Sequence, residues 1–208
     1  MSQREADNAL LEAIQTFVAA NPDPEIGRFE DGIADWGTDW QKADAHHLPA
    51  ADTLSSTLSS STDLTRPLIE AFEAHKASRK WEQSYTKADN LVGDDMLSGY
   101  GFAEVIGKNG PFVSTRVRSG IGVWGPGIYY PSHRHEAEEI YVILGGSAEF
   151  RMDEGPSQDV FQKHAGESVY VTSMRTHAFR TLEEPLCVFY IWQAGDLREK
   201  SSFSERNS

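Results

Sequence analysis

Residues 127–146 run Gly127, five residues, His133-Arg134-His135, three residues, Glu139, six residues, Gly146. Side chains alternate across an extended strand. His133, His135, Glu139 and Tyr141 are all odd-numbered, so an extended segment turns them to one face. Two imidazoles and a carboxylate with open positions suit one divalent ion such as Fe2+, Zn2+ or Mn2+. Tyr141 stands two residues past the carboxylate and therefore beside it. A phenol next to a divalent ion can have its pKa lowered from about 10 and serve as a base near neutral pH.

A further ligand is expected from another strand, and His177 is the candidate. It lies eleven residues after Gly166, in Gly166-Glu167-Ser168-Val169-Tyr170-Val171-Thr172-Ser173-Met174-Arg175-Thr176-His177. The two segments resemble the paired motifs of the cupin superfamily. The first matches at every defined position. In the second, Gly166 and His177 match, while Thr172, Met174 and Thr181 stand where Pro, Gly and often Asn are usual. His46, His47, His75 and His164 lie outside this register and read as ordinary helix, loop or surface residues.

The elements around these motifs change character near residue 100. Residues 4–20 space Leu10, Leu11, Ile14, Phe17 and Val18 as a helix that ends at Asn21-Pro22-Asp23-Pro24. Residues 43–63 show little periodicity and are expected to form a loop or mobile segment. A second helix is expected from Asp63 or Thr65, with Pro67 in its first turn, to about Tyr85. Beyond it, 102–106 and 112–118 read as a hairpin turning at Asn109-Gly110. Strands follow at 120–124, 138–144, 147–153, 168–172, 176–182 and 186–193, punctuated by turns such as 125–127, 145–146 and 154–156. Many short strands with such turns predict a mainly β sandwich or barrel. The expected organisation is a helical segment over 1–95 packing on a β-barrel over 96–198, with a polar tail at 199–208.

The chain has 208 residues, 39% hydrophobic and 25% charged, with a net charge of -13. That charge argues against nucleic acid or an anionic membrane as a partner. No run reaches the length of a membrane span, and the N-terminal residues are too polar for a secretory signal. The single cysteine, Cys187, excludes an internal disulfide and sits in an apolar strand. It reads as a buried small hydrophobe in a reducing cytoplasm.

Aromatic residues crowd the motifs. Trp124, Tyr129 and Tyr130 precede His133, Phe179 shares parity with His177, and Trp192 closes the last strand. Trp81 and Tyr85 lie in Trp81-Glu82-Gln83-Ser84-Tyr85-Thr86. Such rings can serve as core, and beside a metal they can also attract a sulfonium or quaternary ammonium through their faces.

The combination resembles the bacterial cupin-type dimethylsulfoniopropionate lyases over most of the chain. The resemblance is carried by residues 81–86, by Trp124-Gly125-Pro126-Gly127 and by residues 133–141 ending in Glu138-Glu139-Ile140-Tyr141. It implies a single cupin (jelly-roll) barrel behind an N-terminal helical portion. It implies metal ligands at one or both of His133 and His135, and at Glu139 and His177. It places the catalytic tyrosine at Tyr141 and a substrate-positioning tyrosine at Tyr130. The substrate would be a small sulfonium zwitterion, cleaved by β-elimination to acrylate and dimethyl sulfide. Tyr129, Trp124, Phe179, Trp192, Trp81 and Tyr85 would line its site. A homodimer is compatible with the sequence. The competing readings are a cupin dioxygenase of a small thiol or acid, and a non-catalytic cupin that binds a small ligand.

Overall fold

A computed structural model of the chain describes residues 2–34, 36, 39–153, 158–198 and 200–203. The expected turn at 154–156 and most of the expected polar tail lie outside them.

Helix α1 spans Gln3–Ala20. Ser2 and Glu5 form a reciprocal capping box at its start, which satisfies orphan N–H groups there. Its buried face carries Ala6, Leu10, Ile14 and Phe17, spaced by four, four and three. A 3-10 turn at Ile26–Phe29 and the short α2 (Glu30–Ile33) follow. Helix α3 covers Arg66–His75 and continues as a 3-10 turn to Ser78. Helix α4 covers Asp94–Gly99.

Among the described residues, eleven strands build two antiparallel sheets. They are β1 (Trp81–Glu82), β2 (Tyr100–Ile106), β3 (Val117–Trp124), β4 (Tyr129–Arg134), β5 (Glu138–Gly145), β6 (Ser147–Met152), β7 (Asp159–His164), β8 (Ser168–Val171), β9 (His177–Thr181), β10 (Leu186–Gln193) and β11 (Ser202–Phe203). The six-stranded sheet has the order β1-β2-β3-β10-β5-β8, and the five-stranded sheet β11-β4-β9-β6-β7. This is the cupin barrel that the sequence predicts, with a helical segment ahead of it.

The six-stranded sheet is covered on both faces, which explains the unbroken apolar run of β10. Its odd residues Cys187, Phe189 and Ile191 join α1, α3 and residues 50–54 in one core. Its even residues Leu186, Val188, Tyr190 and Trp192 point into the barrel. On β5 the parity is reversed. Ile140, Val142 and Leu144 face the helices, and Glu139, Tyr141 and Ile143 face the interior. Phe17 meets Phe189 edge-on at 5.6 Å. Fully burying such a side chain contributes about 1.5–3 kcal/mol, so the helical segment and the barrel hold each other. Asp7 and Arg79 form a buried ion pair at 2.5 Å between α1 and the chain beyond α3. Among the described residues no helix is long and apolar enough to cross a membrane.

Four expectations need correction. Residues 43–63 are not a loop throughout, because Pro49–Ser60 forms one continuous 3-10 helix. Runs this long are uncommon. Its buried residues Ala51, Leu54 and Thr57 recur every third position, which matches three residues per turn. Hydroxyls of Thr53, Thr57, Ser59 and Ser61 donate back to carbonyls three residues earlier. The helix seats on Gly145, where a Cβ would come within 2.3 Å of the Thr57 carbonyl oxygen.

The second helix stops at His75 rather than Tyr85, and Trp81 and Glu82 pair with Ala103 and Phe102 in the sheet. Residues 112–118 and 120–124 are not two strands but resolve into β3, which starts at Val117. The connection before β3 folds instead around Glu104, whose Oε1 accepts the N–H groups of Asn109 and Gly110. Strand β7 was not expected, since its exposed residues include the polar Asp159, Gln162 and His164.

Candidate metal centre and cavity

Two neighbouring strands of the five-stranded sheet and one of the six-stranded sheet converge inside the barrel. Strand β4 supplies His133, its end supplies His135, and His177 opens β9 directly opposite His133. Strand β5 supplies Glu139 and Tyr141. All five side chains are buried.

The imidazoles are oriented by the backbone. His133 Nδ1 lies 2.8 Å from the Pro131 carbonyl, His135 Nδ1 2.8 Å from that of Ala137, and His177 Nδ1 3.0 Å from that of Arg175. A carbonyl has no proton to give, so each Nδ1 is the donor. In the neutral ring each Nε2 then keeps its lone pair. The three rings bring one nitrogen each within 4.8 Å of one another. Glu139 Oε2 lies 3.0 Å from His135 Nε2 and 3.7 Å from His177 Nε2, and His177 Nε2 has no hydrogen-bond partner. Lone pairs and a carboxylate are all acceptors. They gather this closely only around a cation or a proton. The donor set fits one divalent transition ion, so the buried His133, His135 and His177 triad can hold a metal.

The electrostatics agree. Burial works to raise the Glu139 carboxyl, but the facing His135 and His177 outweigh it and hold it below the usual carboxylate range. Burial, followed by the His177 ring, keeps His133 well below its ordinary value and neutral. Burial and the Glu139 carboxylate push the Tyr141 phenol well above its ordinary value.

The second motif departs from the usual cupin pattern without displacing His177. Met174 adopts φ +61, the left-handed conformation that a glycine would take. Its N–H donates to the His135 carbonyl at 2.8 Å. The Thr181 hydroxyl accepts from the Ile128 N–H and donates to the Gly125 carbonyl, each at 2.8 Å.

A cavity of about 230 Å³ opens on Glu139 and Tyr141, and Tyr130, Trp124 and Trp192 line it as well. Tyr130 stacks on His133 with centroids 4.0 Å apart, and Trp192 stacks on His135 at 4.2 Å. The parity argument fails at Tyr129. The register between β4 and β9 shifts between Tyr130 and His133, so Tyr130 points inward with His133. Tyr129 is half-exposed under the Arg180 guanidinium. Trp81 lies in the core beneath the helices, where its Nε1 donates to the Lys76 carbonyl, and it is not at the cavity. Phe179 is wholly buried and packs edge-on behind Trp124 and Tyr130. Tyr85 reaches the site through its hydroxyl, 2.9 Å from that of Tyr130.

Sequence reasoning missed Arg118, Tyr100, Tyr190 and Ser201, all of which line the cavity. Arg118 Nε donates to Glu104 Oε2 at 2.8 Å, and its guanidinium lies over the Trp192 ring. Arg118, Trp124, Tyr190 and Trp192 share even parity on the paired strands β3 and β10. That parity was available as a signal once the two strands were paired. His46 and His47 have local partners, Trp81 O and Asp52. His164 ends β7 at the surface.

The two-sheet barrel with inward-facing imidazoles and a carboxylate defines a cupin with a metal-competent centre. The family model for dimethylsulfoniopropionate lyase matches residues 33–188. The chain belongs to that family, and its class is carbon–sulfur lyase. It is 33% identical over 150 residues to the dimethylsulfoniopropionate lyase DddQ of Ruegeria pomeroyi, covering 72% of each chain. The crystal structure of that DddQ superposes with a TM-score of 0.83 and 28% identity over 98% of both chains. A structure described as that of the DMSP lyases RdDddP and RnDddQII superposes with a TM-score of 0.85 and 31% identity, covering 98% of this chain and 100% of the other.

Proposed function

We propose that the protein cleaves dimethylsulfoniopropionate to dimethyl sulfide and acrylate by a metal-dependent β-elimination, with Tyr141 as the base. The observation that carries this reading is the convergence of three backbone-oriented imidazoles on Glu139, which together with the Tyr141 phenol lines a cavity sized for a small acid. His133, His135, His177 and Glu139 would hold the ion, which we take to be Fe2+, Zn2+ or Mn2+. When bound, it supplies Lewis-acid stabilisation of charge on the substrate carboxylate and lowers the pKa of the phenol next to it.

The remaining steps belong to the chain. Tyr141 Oη takes the proton α to the carboxylate. The C–H electrons form the new carbon–carbon double bond, and the Cβ–S electrons leave on sulfur as neutral dimethyl sulfide. That leaving group needs no general acid. Tyr130, fixed between His133 and Trp124, positions the substrate. The aromatic rings around the cavity suit the sulfonium. Cys187 is buried, and burial pushes its thiol up. It therefore takes no part in the chemistry, and a free thiol of this kind accords with a cytoplasmic location.

The test is headspace dimethyl sulfide from protein loaded in turn with Fe2+, Mn2+ or Zn2+, for wild type and Tyr141→Phe. The expected result is chelator-sensitive gas with equimolar acrylate from wild type. Tyr141→Phe should lose about 10²–10⁴ in kcat while metal content is unchanged. A loaded variant that works at near wild-type rate removes Tyr141 as the base.

A further inference from the structure

The chain from Val171 to His177 turns back into the barrel without a proline or a glycine. Its shape therefore comes from hydrogen bonds, and those bonds grip two of the four candidate ligands. The Met174 N–H donates to the His135 carbonyl at 2.8 Å, and the Arg175 carbonyl accepts from His177 Nδ1 at 3.0 Å. Within the turn the Arg175 N–H donates to the Thr172 carbonyl at 3.1 Å. A shift of this turn would move both imidazoles at once.

The neighbouring strand anchors the turn. Strand β6 pairs with β9 as far as Met152, which lies opposite His177. Asp153, the next residue, donates its N–H to the Thr176 carbonyl at 2.8 Å. Its carboxylate accepts a fork from the Arg175 side chain. Nε lies 3.2 and 3.3 Å from the two oxygens, and Nη2 lies 2.8 Å from Oδ2. Asp159 reaches the same guanidinium only at 3.5 Å. Asp153 adopts φ +63, a conformation that Asp and Asn take more readily than other side chains. Both members of the pair are half-buried. An ion pair at such exposure adds little to stability, so its geometry points to another use.

We propose that the Asp153–Arg175 fork positions His177, and through Met174 also His135, for the metal ion. This role rests on the metal-binding part of the reading above and not on the reaction. Neither side chain is a ligand, and both act through the turn. The fork fixes residue 175 against the end of β6, and residue 175 carries the carbonyl that orients the His177 ring. Groups that orient a metal ligand typically govern about 10–100-fold in affinity.

The test is Zn2+ affinity by chelator competition, with the visible spectrum of bound Co2+ as a report on ligand geometry. The proteins are wild type, Arg175→Gln, Asp153→Asn and the double variant, Asn being chosen because it keeps the left-handed backbone. Each single variant should weaken Zn2+ by about tenfold and shift the Co2+ spectrum. The double variant should fall no further, since one fork is lost in every case. Metal-free unfolding midpoints should fall by less than about 4 °C. Charge acting through space has a different signature. Losing the Asp153 charge would weaken a bound cation, and losing the Arg175 charge would strengthen it. Opposite shifts in the two single variants overturn the positioning role, as does unchanged Zn2+ affinity in both. Losses that add in the double variant overturn it too, because they would have separate causes. Wild type that takes up no ion removes the metal centre and the fork's role with it. Metal-loaded wild type that makes no dimethyl sulfide removes the reaction alone, and the fork is still judged by its metal affinities.

Discussion

The Tyr85–Tyr130 pair is one point where the segment ahead of the barrel reaches the site, and its energetics can be worked out. The hydroxyls are 2.9 Å apart, and both residues are buried. Tyr85 has a second hydroxyl nearby, that of Ser201. Tyr130→Phe therefore leaves the Tyr85 phenol with somewhere to turn and should cost about 1 kcal/mol, the net value of a hydrogen bond. Tyr85→Phe strands the Tyr130 phenol in the interior and should cost about 2 kcal/mol, toward the middle of the penalty for an unsatisfied buried group. Removing both hydroxyls strands nothing, so the double variant should cost about 1–2 kcal/mol rather than the sum of about 3. The coupling is then about 1–2 kcal/mol.

Urea titrations of all four proteins measure it, and the Tyr85→Phe midpoint on heating should fall by about 4–8 °C. Tyr85→Phe should also lower kcat, because Tyr130 loses the hydroxyl that orients its own. Costs that add to within about 0.5 kcal/mol would show that the two phenols do not share a bond. Tyr130 would then owe its orientation to its ring contacts with His133 and Trp124 alone.

Three further outcomes are expected. His177→Ala should lower metal content and dimethyl sulfide production together, by elemental analysis and headspace assay; full metal occupancy with unchanged activity would remove His177 from the ligand set. Leu54→Ala should cost about 2–5 kcal/mol in a denaturant titration, as for a buried leucine, whereas a mobile loop would tolerate it with less than about 0.5 kcal/mol. Met174→Gly should raise stability by up to about 1 kcal/mol, since the left-handed conformation costs a side chain about 1–2 kcal/mol and glycine returns part of that as unfolded-state entropy. Met174→Val should lower it, and a calorimetric order of Val above Gly would contradict the strain at this position.

The sequence by itself determined what depends on short-range periodicity and chemistry. The spacing of His133, His135 and Glu139, with alternation along β5, was enough to put two imidazoles, a carboxylate and Tyr141 on one inward face. The residue types suited a metal ion, and the two motif glycines and His177 pointed to the barrel. What tertiary structure decided lies in register and in packing between distant segments. A shifted register between β4 and β9 turned Tyr130 inward and Tyr129 outward, which no count of residues reveals. The pairing of β3 with β10 gathered Arg118, Trp124, Tyr190 and Trp192 around one cavity. Residues 49–60 became a packed 3-10 helix because Gly145 admits them and their own hydroxyls close the turns. Trp81 went to the core and Tyr85 to the site from one short stretch of chain. In each case the deciding contact joins residues far apart in sequence, and its energy exists only once the sheets have set their distance.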